Sequence, residues 1–201
     1  MQASDELTLV AGDALVLVDV QQDFLPGGHL GVTDGDRVVA PLNRMVELFR
    51  AQQLPVVATR DWHPLNHCSF QEQGGPWPPH CVQHTHGADW APELALPSDA
   101  LIVSKGDSAT QEAYSGFEGT DLTDRLHRAG VGRLFIGGLA TDYCVLQTVL
   151  DARAQGFEAL VLQDAIRAVD VEVGDGDRAL QQMSEAGAQL TRTQDLADAN
   201  A

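Results

Sequence analysis

Lysine is nearly missing from this chain: of its 12 basic residues, 11 are arginine and one, Lys105, is lysine. Basic residues are scarce altogether, since 29 acids face those 12 and leave a formal net charge of -17. A charge of that sign repels nucleic acid and anionic membrane surfaces, so neither is expected as a partner. No run approaches the roughly 18 consecutive apolar residues of a membrane span. Residues Met1 to Thr8 have neither the basic start nor the apolar core of a signal peptide, so a cytoplasmic location is expected. Cysteine is sparse and odd in number. Cys68, Cys81 and Cys144 lie far apart, which is no disulfide framework.

What remains is a chain of 201 residues, 44% hydrophobic, without repeats, low-complexity segments or a visible domain boundary. A single domain over residues 1–201 is expected, with its ordered core at about 12–192 and a frayed polar tail after Thr193. Leu15 to Val20 is a continuous apolar run carrying Asp19 near its end, as in a central parallel strand covered on both faces. Further strands are predicted at Pro55–Thr59, Leu101–Lys105, Leu134–Gly137, Ala159–Leu162 and Gln189–Thr191. Between them lie helical patterns, of which Val38, Val39, Leu42, Met45, Val46 and Phe49 form the clearest. Other helices are predicted around Leu122–Arg128, from the Cys144 turn to Gly156, and around Arg178–Ala186. Alternation of this kind implies an α/β fold, a parallel sheet with helices on both faces.

Three strands end in chemistry. Asp19 and Lys105 sit at carboxyl ends, where open α/β sheets place their ligands. Cys144 follows the fourth strand through Gly137-Gly138-Leu139-Ala140-Thr141-Asp142-Tyr143, so it falls on the first turn of the next helix, with Thr141 or Asp142 as N-cap. A helix start favours thiolate over thiol, and its free amides could hold an oxyanion. A carboxylate can take the thiol proton and later return it, and a lysine beside the pair lowers the thiol pKa. Arginine is this chain's ordinary cation, so the single lysine is expected to be functional and to sit at the water-facing edge of the sheet.

A second constellation lies in the long loop after the second strand. Asp61 and His63 are two apart on an extended backbone, His67 is close by, and His80 lies further along. One carboxylate and two imidazoles can bind zinc, iron or manganese with positions left open. His29, His84, His86 and His127 read as solvent-facing. Phe24 and Trp77 either wall an aromatic ligand or pack in the core.

Asp19-Val20-Gln21-Gln22-Asp23-Phe24, Arg60-Asp61-Trp62-His63-Pro64 with His67, Trp77-Pro78-Pro79-His80-Cys81-Val82, Lys105-Gly106, Tyr114-Ser115-Gly116-Phe117 and Gly138 to Cys144 occur in that order. Together they resemble the nicotinamidases of the isochorismatase-like cysteine hydrolase family, over about residues 12–192. The resemblance implies a six-stranded parallel sheet in a Rossmann-like arrangement. It implies hydrolysis of nicotinamide to nicotinate and ammonia, an NAD-salvage reaction, with pyrazinamide as a further substrate. It implies a catalytic triad of Asp19, Lys105 and Cys144, an oxyanion hole from the backbone of Ala140 and Cys144, and a cis Leu139–Ala140 bond. It also implies one divalent metal ion, zinc first, on Asp61, His63 and His80, with His67 left open, and a ring held against Phe24 and Trp77. Self-association is compatible with all of this. The alternative is a cysteine amidohydrolase of the same fold acting on a carbamoyl or ureido substrate, whose relatives generally lack the metal loop. A non-catalytic metal-binding or scaffold protein would not need Asp19, Lys105 and Cys144 together.

Overall fold

The computed structural model describes residues 7–196. Its strands are β1 (Asp13–Val18), β2 (Val56–Asp61), β3 (Leu101–Lys105), β4 (Arg133–Leu139), β5 (Glu158–Arg167) and β6 (Gln189–Thr191). They form one parallel sheet in the order β3-β2-β1-β4-β5-β6. Helices α1 (Val39–Ala51), α2 (Leu122–Arg128), α3 (Leu146–Ala154) and α4 (Asp175–Glu185) cover it.

Side chains alternate across the pleat, which splits the core into two layers. Leu15, Leu17 and Phe135 pack with Leu42, Met45, Val46 and Phe49 of α1. Val16, Val18, Leu134 and Ile136 face the other way, against Leu122 and Leu126 of α2, Val149 of α3 and Met183 of α4. The six-stranded, doubly covered sheet expected from the alternation of patterns is therefore present. Among the described residues, no helix is long and apolar enough to cross a membrane.

Boundaries differ where pairing outlasts the apolar pattern. β2 continues two residues beyond Thr59 because Arg60 and Asp61 keep pairing with Ser104 and Lys105. β5 runs on past Leu162 through polar Gln163 and Asp164, since it pairs with β4 again after a register shift between Ile136 and Gly138. Gly138 makes that shift feasible: its φ is 130°, and a Cβ there would lie 2.1 Å from the Val18 carbonyl oxygen. The frayed tail is corrected in part. Thr193 is tied to Asp164 through its N–H (2.9 Å) and hydroxyl (2.6 Å), and Leu196 is buried. The remainder of the expected tail, 197–201, lies outside the described residues.

Candidate active site

The strand order reverses direction between β1 and β4, and ligands of open α/β sheets bind in the crevice at such a point. Four chemistry-bearing residues reach it. Asp19 follows β1 with a left-handed backbone, φ 49°. Asp61 and Lys105 end β2 and β3 as register partners. Cys144 lies on the turn after β4, entered through a cis Leu139–Ala140 bond.

Lys105 joins them. Its ammonium lies 2.8 Å from Asp19 Oδ2, donates to Asp61 Oδ1, and reaches the Ala113 carbonyl oxygen at 3.3 Å and Cys144 Sγ at 3.4 Å. The expected water-facing position is wrong: the Lys105 side chain is fully buried, its ammonium enclosed by Asp19, Asp61, the Ala113 carbonyl oxygen and Cys144. Asp19 Oδ1 accepts from Thr59 Oγ1 at 2.6 Å. Asp19 Oδ2 meets the ammonium as an ion pair without an aligned hydrogen bond, which leaves it open toward the thiol. Polar atoms of Asp19, Asp61 and Cys144 all lie within 4.8 Å of one another.

Two expectations about Cys144 are corrected. Neither Thr141 nor Asp142 caps its turn. Thr141–Val145 is a π-helical turn without a side-chain cap, and the Asp142 carboxylate instead accepts from the amides of Val169 and Asp170, each at 2.9 Å. The thiol is also not lowered. Burial pushes it well above its ordinary value, Lys105 opposes, and Asp19 and Asp61 push it further up. The proton therefore rests on sulfur. Burial likewise raises Asp19 above its usual value although Lys105 pulls it down, so it takes a proton more readily than an ordinary carboxylate. Lys105 stays charged: burial opposes the charge, but Asp19 and Asp61 outweigh it.

The loop constellation assembles beside this group. Asp61, His63 and His80 are buried, with ligand atoms within 4.8 Å of one another. His63 Nδ1 lies 2.8 Å from the Gly106 carbonyl oxygen, and His80 Nδ1 lies 2.8 Å from that of Pro78. Each ring can thus donate from Nδ1 and keep Nε2 as a ligand atom beside Asp61 Oδ2, which lies 3.5 Å from that of His63 and 3.9 Å from that of His80. Gly106, with φ 61°, is what lets the chain pass, since a Cβ there would sit 2.5 Å from His63 Cε1. The donor set fits a divalent metal ion. His67 stands apart from it: stacked 4.0 Å from His63, it is engaged by Ser69 Oγ at 2.7 Å and the Gln111 carbonyl oxygen at 3.1 Å. His29, His84, His86 and His127 are exposed, as expected.

Phe24 and Trp77 line a cavity of about 40 Å³ together with Asp61, His80, Ala140 and Cys144. Sequence reasoning missed the rest of its wall: Tyr114, Tyr143, Leu30, Val32 and Val169. Trp77 Nε1 donates to the Tyr114 hydroxyl at 3.1 Å and packs edge-on against Tyr143. Tyr114 and Tyr143 stood inside two of the sequence motifs, but without a role at the cavity. A larger groove of about 940 Å³ is lined by Gly28, Pro79 and Val82 among others, and by none of Asp19, Lys105 or Cys144.

Residues 13–195 match the isochorismatase domain, and the chain belongs to that family. Within it, the chain is similar to the nicotinamidase of Escherichia coli (strain K12), 38% identical over 198 residues and covering 88% of this chain and 93% of that one. Among solved structures it is similar to the pyrazinamidase of Pyrococcus horikoshii in complex with zinc, with a TM-score of 0.87 and 48% identity over 90% of this chain and 99% of that one. It is similar also to PnC1 of L. infantum in complex with nicotinate, with a TM-score of 0.88 and 36% identity over 95% of this chain and 98% of that one.

Proposed function

We propose that this chain is a nicotinamidase, hydrolysing nicotinamide to nicotinate and ammonia through a thioester on Cys144, with pyrazinamide as a further substrate. The observation that carries the reading is the junction at Lys105, which joins Asp19 to Asp61 and Cys144, two residues that line an aromatic-walled cavity. Asp19 takes the thiol proton as Cys144 Sγ attacks the carboxamide carbon. Backbone N–H groups of Ala140 and Cys144 hold the oxyanion. Asp19 returns the proton to the departing nitrogen, the C–N bond breaks and ammonia leaves. Asp19 then deprotonates a water, which attacks the thioester and frees the acid and the thiol. Lys105 keeps its charge throughout and balances the two carboxylates.

Asp61, His63 and His80 would hold the divalent ion, and the zinc complex of the similar pyrazinamidase supports zinc as its identity. When bound, it would supply a Lewis acid that a ring nitrogen could engage. Phe24 and Trp77 flank the ring, and such positioning contributes several kcal/mol to the rate. A carbamoyl or ureido substrate has no ring nitrogen to use this donor set, which favours a heteroaromatic carboxamide. The chain works as one hydrolase domain, and its three uncrosslinked cysteines support a reducing, cytoplasmic setting.

Ammonia release from nicotinamide tests the reading. The parent should turn over, chelation should raise KM, and a restored divalent ion should bring activity back. Cys144→Ala should abolish turnover and keep ligand binding. Turnover within about tenfold of the parent by Cys144→Ala would remove the nucleophile assignment.

A further inference from the structure

Two buried residues of the Gln21–Phe24 segment have no part in the reaction above, yet each holds a piece of the metal loop. Pairing of β1 with β2 ends at Val18 and Thr59, two residues short of Asp61. There the Gln21 side chain takes the place of the missing strand neighbour. Its Oε1 accepts from the Asp61 N–H at 2.8 Å, and its Nε2 donates to the carbonyl oxygens of Asp61 (2.9 Å) and Ala88 (3.0 Å). Gln21 is 0% exposed, so no water competes for these groups.

Asp23 does the same for the histidines. Its Oδ2 accepts from the N–H of Cys81, the residue after His80, at 2.7 Å. Its Oδ1 accepts from the His29 N–H at 3.2 Å and meets His29 Nδ1 at 2.7 Å. Cys81 in turn accepts from the His63 N–H at 3.0 Å, so one carboxylate fixes the backbone beside both imidazoles. Gly87 presses on that carboxylate: a Cβ there would lie 2.0 Å from Asp23 Oδ2.

We propose that Gln21 and Asp23 are positioning residues that set the affinity of the Asp61–His63–His80 site for its divalent ion, by hydrogen-bonding the main chain at Asp61 and at Cys81. The inference rests on reading those three residues as ligands. Neither Gln21 nor Asp23 is itself a ligand. Groups that orient ligands typically contribute about 10- to 100-fold in metal affinity.

The test is zinc affinity of the metal-free protein by competition with a chromophoric chelator, with thermal unfolding of the same metal-free samples alongside. Gln21→Met removes all three hydrogen bonds at similar length, and Asp23→Ala removes the anchor of Cys81. Each should weaken zinc binding by about 10- to 100-fold. Asp23→Asn can still present an oxygen to Cys81 and should keep most of the affinity. Gly87→Ala removes no hydrogen-bonding group but displaces the carboxylate, and should weaken zinc like Asp23→Ala. If Gln21→Met does not fold, Asp23→Ala and Gly87→Ala decide. Variants that bind zinc as tightly as the parent would overturn the inference. So would affinity losses that merely follow the fall in metal-free Tm, equally for Asp23→Asn and Asp23→Ala. A parent that binds no zinc would overturn the ligand reading, and this inference with it.

Discussion

Lys105 is the residue through which the two constellations of the sequence become one site. It touches Asp19 and Cys144 on one side and Asp61 on the other. An arginine at this place would bring a wider, planar fork that tends to bind a carboxylate through two parallel hydrogen bonds. Asp19 would then be held away from the thiol, and its basicity would fall. Lys105→Arg should lose at least ~100-fold in kcat, on the scale of removing an acid–base element. Because the side chain is fully buried, stability should fall too, by about 1–3 kcal/mol of overpacking. Steady-state kinetics and thermal unfolding check both. A near-parental kcat would leave Asp19 and Cys144 as a dyad. Asp19, Lys105 and Cys144 were legible because charged or nucleophilic residues closing apolar strands stand out in a sequence. The double duty of Asp61 was not, since it depends on the register that pairs Asp61 with Lys105. The direction of the Cys144 shift was misread for a related reason. A helix start is visible in sequence, whereas the burial that overrides it is not.

At the scale of elements, strands and helices were readable from period and composition, and β3 and β6 agree at both ends. What sequence could not supply was how loops from distant elements close on one another. Asp142 is the clearest case. Its position suggested a cap for its own turn, but its carboxylate clamps the Val169–Asp170 loop, 27 and 28 residues away. Val169 is part of the cavity lining. Asp170 continues the chain of contacts by accepting from the Gly176 N–H at 2.8 Å, in the first turn of α4. Removing the clamp should let the Val169 wall drift while Cys144, Lys105 and Asp19 stay in place. Asp142→Ala is therefore expected to raise KM for nicotinamide about tenfold with a smaller change in kcat, since hydrogen bonds to a charged group contribute about 1.5–3 kcal/mol each. Thermal unfolding should shift down in parallel. An unchanged KM with a collapsed kcat would place the role of Asp142 at the nucleophile instead.

For the whole molecule, the net charge of -17 acts unequally on the two ends of the proposed reaction. Nicotinamide is neutral and enters without regard to the field, whereas nicotinate leaves as an anion. Asp170, Glu172, Asp175 and Asp177 follow cavity-lining Val169 in the chain and belong to the acidic excess that repels the anionic product in particular. Fields of this kind reach several kT over a protein surface and fall away with ionic strength. The screening length is about 30 Å at 0.01 M and about 3 Å at 1 M, so salt can switch the repulsion off without touching a buried contact. Product inhibition by nicotinate should therefore tighten severalfold as salt is raised across that range, while KM for nicotinamide stays level. Tm should rise over the same range, because screening also relieves the self-repulsion of the folded chain. The measurement is the inhibition constant of nicotinate and the KM of nicotinamide at matched salt concentrations with a single buffer. A nicotinate constant that is flat in salt, or that weakens, would mean that the positive groups at the base of the site govern product binding and that the acidic surface has no part in release.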